Sequence, residues 1–253
     1  MELIKEFDKQ GNFLFKYRGT LPIIVLLLGL SVYCYVTWKT AANGGAVEFT
    51  SNEYEFLCLG VALIGLVVRI LAVGYAQKNT SGRNTEKQVA DHLNTSGMYS
   101  IVRHPLYVGN FFMWLGVAML TQHTWFIIAF ALAYWLYYER IMYAEEQFIS
   151  RQFGSGFTEW AAKTPAIVPQ VTKWHNPDLK FSVKKVLRQE KNGFAAIFIL
   201  FFLFDTIGEF ITFGEVHFRN RHWLILCIAS TVIYLILKII KRKTSLLQVE
   251  GGR

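Results

Sequence analysis

The hydropathy pattern restricts this chain more than any motif does. Apolar runs at residues 21–38, 54–76, 105–120, 125–138, 193–213 and 223–240 alternate with short charged stretches. A run of roughly 20 apolar residues matches the thickness of a bilayer's hydrocarbon. Inside lipid, each segment has to satisfy its own backbone hydrogen bonds. The sequence therefore reads as all-α, a polytopic membrane protein with about six transmembrane helices. Only 17% of its 253 residues are charged, fewer than a soluble domain of this size carries.

The formal charge of +8 does not point to nucleic acid. Lys and Arg cluster beside the apolar runs, where they set orientation and meet anionic lipid headgroups. Loops 77–104, 139–192 and 241–253 hold most of them, which puts those loops and both termini in the cytosol; Arg219 and Arg221 run against the trend. Lys39 to Asn52, with Asn43-Gly44-Gly45, reads as an outer connector, and residues 77–96, with Lys78, Arg83 and Lys87, as a polar loop. Lys5, Lys9, Lys16 and Arg18 on a partly apolar background predict an amphipathic segment on the cytosolic surface. Cys34, Cys58 and Cys227 lie inside apolar runs and suggest neither disulfides nor a metal. Glu215, His217 and His222 are spaced too loosely for a metal site, and no phosphate-binding glycine loop or nucleophile elbow is present.

The runs 105–120 and 125–138 are joined by Thr121-Gln122-His123-Thr124, so they form a tight hairpin. That hairpin returns Glu139-Arg140 and Glu145-Glu146 to the level of the polar stretch from Gly97 to Asn110. Pro105 suits the first turn of a helix, and the unpaired amides of a helix start attract anionic groups. Tyr99, Arg103, His104 and Tyr107 add donors there, and the glutamates add acceptors, giving a pocket of both signs at one membrane face. Outside this region, Arg69 stands inside the second run, and Asp205 and Glu209 share one face of the fifth. Buried acids in a membrane face a cavity or a partner; Arg69 and a second copy of the chain are the candidates.

Thr95-Ser96-Gly97-Met98-Tyr99-Ser100-Ile101-Val102-Arg103-His104-Pro105-Leu106-Tyr107-Val108-Gly109 resembles the cofactor motif of the isoprenylcysteine carboxyl methyltransferase and phospholipid methyltransferase superfamily. Arg140-Ile141, Glu145-Glu146, Phe153-Gly154 and the stretch from Pro165 to Pro169 resemble its second motif. The resemblance covers about residues 93–170, between an N-terminal membrane region 1–92 and a basic loop with a helix pair 171–253. It implies an S-adenosyl-L-methionine-dependent membrane methyltransferase. It implies cofactor contacts from Gly97, Tyr99, Arg103, His104, Pro105, Tyr107, Glu145 and Glu146, and catalytic roles for Arg140, Glu146 and Lys163. Lys163 stands where carboxyl-methylating relatives often carry arginine, and Gly156-Phe157 and Trp160 replace a commoner acidic-tyrosine and tyrosine pattern. The acceptor implied is a membrane lipid or isoprenoid-type molecule, methylated on a carboxylate or, alternatively, on a phospholipid amine. A sterol-type reductase using a nicotinamide cofactor and a non-catalytic scaffold or transporter are the competing classes. A bacterial inner membrane is expected before the endoplasmic reticulum, and a homo-oligomer is open.

Overall fold

Every regular element in the described residues (2–43, 52–77 and 90–248 of a computed structural model) is helical. In chain order these are α1 (Leu3–Lys16), α2 (Leu21–Ala42), α3 (Asn52–Tyr75), α4 (Met98–Ile101), α5 (Pro105–Met119), α6 (Thr124–Phe153), α7 (Ser155–Lys163), α8 (Val183–Phe213) and α9 (Arg221–Lys243). The expected Asn43-Gly44-Gly45 connector and most of the 77–96 loop lie outside the described residues. Four helices, α2, α3, α8 and α9, are long and apolar enough to cross a bilayer. The protein is a polytopic membrane protein.

The hairpin helices differ from those four. α5 has 15 residues, or about 22 Å, against a hydrocarbon layer of about 30 Å. α6 has 30 residues. The sequence suggests a span ending at Tyr138 and a second helix after it. The structure runs straight through, because residues 139–153 contain neither Gly nor Pro. Gly154, at φ 55°, ends the helix where a side chain would be strained. At the hairpin turn Gln122 takes the left-handed conformation, and the His123 ring accepts from Phe126 N at 3.2 Å. α6 therefore overshoots the start of α5 and carries its charged half past it.

The centre of the bundle is α3, packed on α5 and α8. α3 and α5 meet backbone to backbone. A side chain at Gly65 would collide with Gly109 O and Met113 N, one at Gly109 with Gly65 O and Arg69, and one at Gly116 with Cys58 O and Ala62. In lipid the hydrophobic effect cannot drive helices together, so such close approach through small residues is the main source of contact energy. Cys58, Ala62 and Leu66 of α3 share one buried core with Val117, Ile197, Phe201 and Trp223. That core joins residues from all three regions marked out by the sequence.

α1 is amphipathic as expected, but it is not free on a surface. It lies on α6, with Gly11 against Arg140 O and Ala144, and with Tyr137 Oη donating to Leu14 O at 3.1 Å. At the other end of the molecule Asp205 and Glu209 do not meet Arg69. Asp205 accepts from Asn220 Nδ2 at 2.7 Å, and Glu209 accepts from the amides of Phe218 and Arg219 at 2.9 and 3.3 Å. The two acids pin the α8–α9 connector, whose unpaired amides need acceptors. Lys185 is buried because its ammonium caps α3, donating to Ala76 O and Gln77 O at 2.7 and 2.9 Å.

Gly65→Leu forces α5 away from α3, and overpacking of this kind costs about 1–3 kcal/mol. Thermal unfolding in detergent should show a lowered midpoint for Gly65→Leu. Gly60→Leu, at a position with open space around it, should leave the midpoint near wild type. Equal midpoints for the two variants would contradict the packing described.

Candidate active site

The turn before α5 is held from two sides. Gly97, at φ 59°, opens α4 and donates its amide to His175 O at 3.0 Å. The chain is extended at Val102, and His104, the residue before Pro105, stays out of the helical region at φ −117° and ψ 57°. Arg103 N donates to Pro165 O at 2.8 Å and His104 N to Ala166 O at 3.3 Å, while Gln170 N donates to Ile101 O at 2.9 Å. The two motif stretches are thus stitched together by backbone bonds. Pro105 starts α5, and His104 O accepts from Tyr107 N and Val108 N at 3.1 and 3.2 Å. The expected amide-rich anion site at this helix start is therefore largely used internally.

Across the hairpin, His104 Nε2 donates to the Glu146 carboxylate at Oε1, 2.8 Å away. Its Nδ1 stands 3.8 Å from Glu145 Oε2. Tyr107 Oη donates to Glu145 Oε1 at 2.8 Å, and Tyr134 Oη donates to Tyr107 O at 2.8 Å. Arg103 Nε lies 3.1 Å from Glu146 Oε1, but its N–H is not aimed at that oxygen. The contact is one of charge, and it leaves a buried donor without a hydrogen bond. Arg18, from the α1–α2 corner, brings Nη1 to 3.6 Å from Glu145 Oε1. Burial raises the Glu145 carboxyl above the usual carboxylate range; His104, Tyr107 and Arg18 oppose that shift.

These groups line one cavity of about 990 Å³. It is at the upper end of the roughly 300–1,000 Å³ found for small-molecule sites. Tyr99, Arg103, His104, Pro105, Tyr107, Glu145 and Glu146 all line it. Three other expected residues do not. Arg140 points at α1, with its guanidinium 3.6 Å over the Phe7 ring and Nη1 3.0 Å from Glu139; a cation–π seat on the outside of α6 takes it away from the cavity. Lys163 borders a smaller, more open hollow of about 590 Å³ with Ser96, Glu159 and Asp178. Gly97 shapes the turn and does not line the main cavity.

Other lining residues stand outside the two motif-based site sets, although Arg69 is a cavity candidate from its place inside an apolar run. Arg18 looked like one more basic residue after an amphipathic stretch. Trp160 lines the wall and donates Nε1–H to Tyr99 O at 3.1 Å. Arg69 binds Glu190 through Nε and Nη2 at 2.7 and 2.8 Å, and Asn110 Oδ1 through Nη1 at 2.8 Å. Its partner is therefore Glu190 rather than Asp205 or Glu209. Glu190 is separated from Arg69 by 121 positions and follows a basic stretch, so no local spacing announces the pair.

Residues 56–156 match the family described as phospholipid methyltransferase. The chain is 32% identical over 127 residues to the protein-S-isoprenylcysteine O-methyltransferase of Schizosaccharomyces pombe, covering 49% of this chain and 53% of that one. It is 30% identical over 144 residues to that of Tribolium castaneum, covering 52% and 51%. It is also 32% identical over 116 residues to the cobalt-zinc-cadmium resistance protein CzcN of Cupriavidus metallidurans, covering 46% and 51%. The chain spans about half the length of these curated relatives. No solved structure matches it. The matched region spans the membrane hairpin, with Arg103-His104-Pro105 at one foot and Glu145-Glu146 at the other. Over this region the chain is similar to phospholipid methyltransferases and to protein-S-isoprenylcysteine O-methyltransferases.

The raised Glu145 carboxyl has a consequence for stability. Its folded pKa lies above the unfolded value near 4.5, so the native state holds the proton more tightly. This contribution to stability is present below that value and is lost as pH rises through the folded pKa. Tyr107→Phe removes a hydrogen bond that opposes the rise, and so extends the loss upward. Unfolding midpoints from pH 4 to 7 should fall further for Tyr107→Phe than for wild type; parallel curves would contradict the assignment.

Proposed function

We propose that this protein methylates a carboxylate on a lipid or lipidated acceptor at the cytosolic face of its membrane, using S-adenosyl-L-methionine. The observation that carries the reading is the mutual hold of His104, Tyr107 and Arg103 on Glu145 and Glu146 at one end of a cavity whose other end is apolar. The residues present suit an adenosyl donor. The buried Arg103 Nε lacks a hydrogen-bond acceptor, and the two carboxylates retain acceptor capacity for ribose or amino groups. Aromatic walls from Tyr99, Phe153 and Trp160 suit a purine ring.

When bound, such a donor supplies a methyl group already activated on sulfur: the new O–CH3 bond takes the carboxylate's electrons, the C–S pair stays on sulfur, and no proton moves. The protein's part is alignment and exclusion of water. His104 and Tyr107 fix the two glutamates, and the hairpin fixes their distance from α5. On α5 the cavity face runs through Tyr107, Asn110, Trp114 and Val117, three or four residues apart, from the polar foot toward the apolar interior. Ile197 and Leu200 of α8 face them across the slot, which leaves a path for a hydrocarbon tail.

Charge supports the carboxylate. Three arginines (Arg18, Arg69, Arg103) and three glutamates (Glu145, Glu146, Glu190) line the cavity, so their formal charges cancel. A donor of net positive charge leaves one uncompensated charge in a poorly solvated slot. A carboxylate balances it, whereas an amine must shed its proton to attack and brings no balancing charge on its nitrogen. Phospholipid amine methylation is the second reading, favoured by the family description that matches residues 56–156. Lys241, Arg242 and Lys243 at the end of α9 suit anionic headgroups on the cytosolic side.

Purified protein in detergent should bind S-adenosyl-L-methionine. His104→Ala and Glu146→Gln should each weaken binding by roughly ten- to a hundredfold, the scale of a charged hydrogen bond. Lipid extracts incubated with labelled donor should release volatile methanol on mild base treatment. Label that resists base assigns amine methylation, and absence of donor binding refutes the methyltransferase reading.

A further inference from the structure

The Arg69–Glu190 pair is unexplained by donor binding. It joins α3 to α8, its side chains are 16% and 4% exposed, and both residues line the cavity. Asn110, on α5, completes the set. Asn110 is six residues beyond His104, about 9 Å further along the helix axis. Beyond it the lining is Met113, Trp114 and Val117. The trio therefore stands between the polar foot and the apolar slot, at the depth where an acceptor's head would meet its tail.

Its chemistry is that of a tempered cation. A guanidinium has five N–H donors. Three of those of Arg69 are taken, two by Glu190 and one by Asn110. Two remain for an oxygen ligand. An arginine without a counter-charge would hold a carboxylate strongly in the ground state. Methyl transfer neutralises that carboxylate, so the stronger hold would be lost on approaching the transition state and would slow the reaction. It would also favour the acid over the neutral ester product. A counter-charge on the far side of the guanidinium weakens the hold without removing the donors.

We propose that Arg69 and Asn110 seat the acceptor's carboxyl group and that Glu190 is a positioning residue which moderates the charge of Arg69. The acceptor class is a single-chain amphiphile with a carboxyl head, its tail lying along Ala196, Ile197 and Leu200. This rests on the carboxyl-methylation reading above. Glu190 lies outside the region matched to the family, so the feature belongs to the chain's C-terminal helices.

Two measurements on the full chain test it. Binding of dodecanoate and of methyl dodecanoate, by titration calorimetry in neutral detergent, needs no turnover. Glu190→Gln should raise the preference for acid over ester roughly tenfold, the scale of a gained charged contact. The double variant Arg69→Gln with Glu190→Gln keeps the site neutral and should abolish the preference. In turnover with an N-acetylated S-isoprenylcysteine, Glu190→Gln should lower both the acceptor KM and kcat. A brace with no role at the acceptor would move unfolding midpoints and leave the acid-to-ester ratio at its wild-type value in both variants; that result overturns the proposal. If wild type fails to bind the donor, the methyltransferase reading falls, while the acid-to-ester ratios still decide the role of the trio.

Discussion

Charge inside a poorly solvated cavity has to be cancelled locally, and this constraint organises the molecule. Isolated ions there would cost several kcal/mol each, even after relaxation. The protein meets the demand with pairs built across helices: Arg69 with Glu190, His104 with Glu146, and Arg18 with Glu145. Each pair ties together elements that lipid alone would not hold in register. α8 is fixed to α3, the foot of α5 to the charged half of α6, and the α1–α2 corner to the same place. The pairs that make the cavity polar are therefore also what keeps its walls at a set spacing.

The contacts of Arg69 depend on the close approach of α3 and α5. Gly65 against Gly109 brings Arg69 beside Asn110; a larger residue at either glycine would move the guanidinium away from the amide. The unequal hairpin does the complementary job. α5 is too short to carry charges beyond the apolar layer at both ends, so its polar face begins at once with His104 and Tyr107. α6 is long enough to reach past that level and present Glu145 and Glu146 sideways. Helix length, a property of sequence, is converted here into the depth of a functional group.

How much of this was legible depended on the range of the interaction. The helices followed from apolar runs, and the meeting of His104 with Glu146 followed from a hairpin whose two arms could be counted. Arg140 misled because it sits in the same charged stretch as the glutamates. Five positions along a helix, however, is about 500° of rotation, which points Arg140 well away from the direction of Glu145. Its seat is the Phe7 ring of α1, a segment more than a hundred residues earlier. Arg69 with Glu190, and Arg18 with Glu145, are likewise long-range pairings set by packing, and no spacing rule reaches them. Asp205 and Glu209 share one face of α8, but their partners lie in the α8–α9 connector: the Asn220 side chain for Asp205 and the backbone amides of Phe218 and Arg219 for Glu209, the latter beyond the reach of a side-chain inventory.

The displacement of Arg140 and Lys163 changes where an acceptor would be recognised. A reading from the motif alone puts the acceptor's carboxylate near these two cations. Arg140 is committed to α1, and Lys163 stands at a separate hollow. The arginines that line the main cavity are Arg18, Arg69 and Arg103. Arg18 and Arg103 are drawn to Glu145 and Glu146 at the polar foot, the end proposed for the donor. Arg69 alone lies toward the apolar interior, next to the face of α5 that leads to Trp114 and Val117. For a substrate that arrives through lipid, its head follows its tail into the slot. The cation nearest that route, rather than the one nearest the donor, is the one placed to receive it.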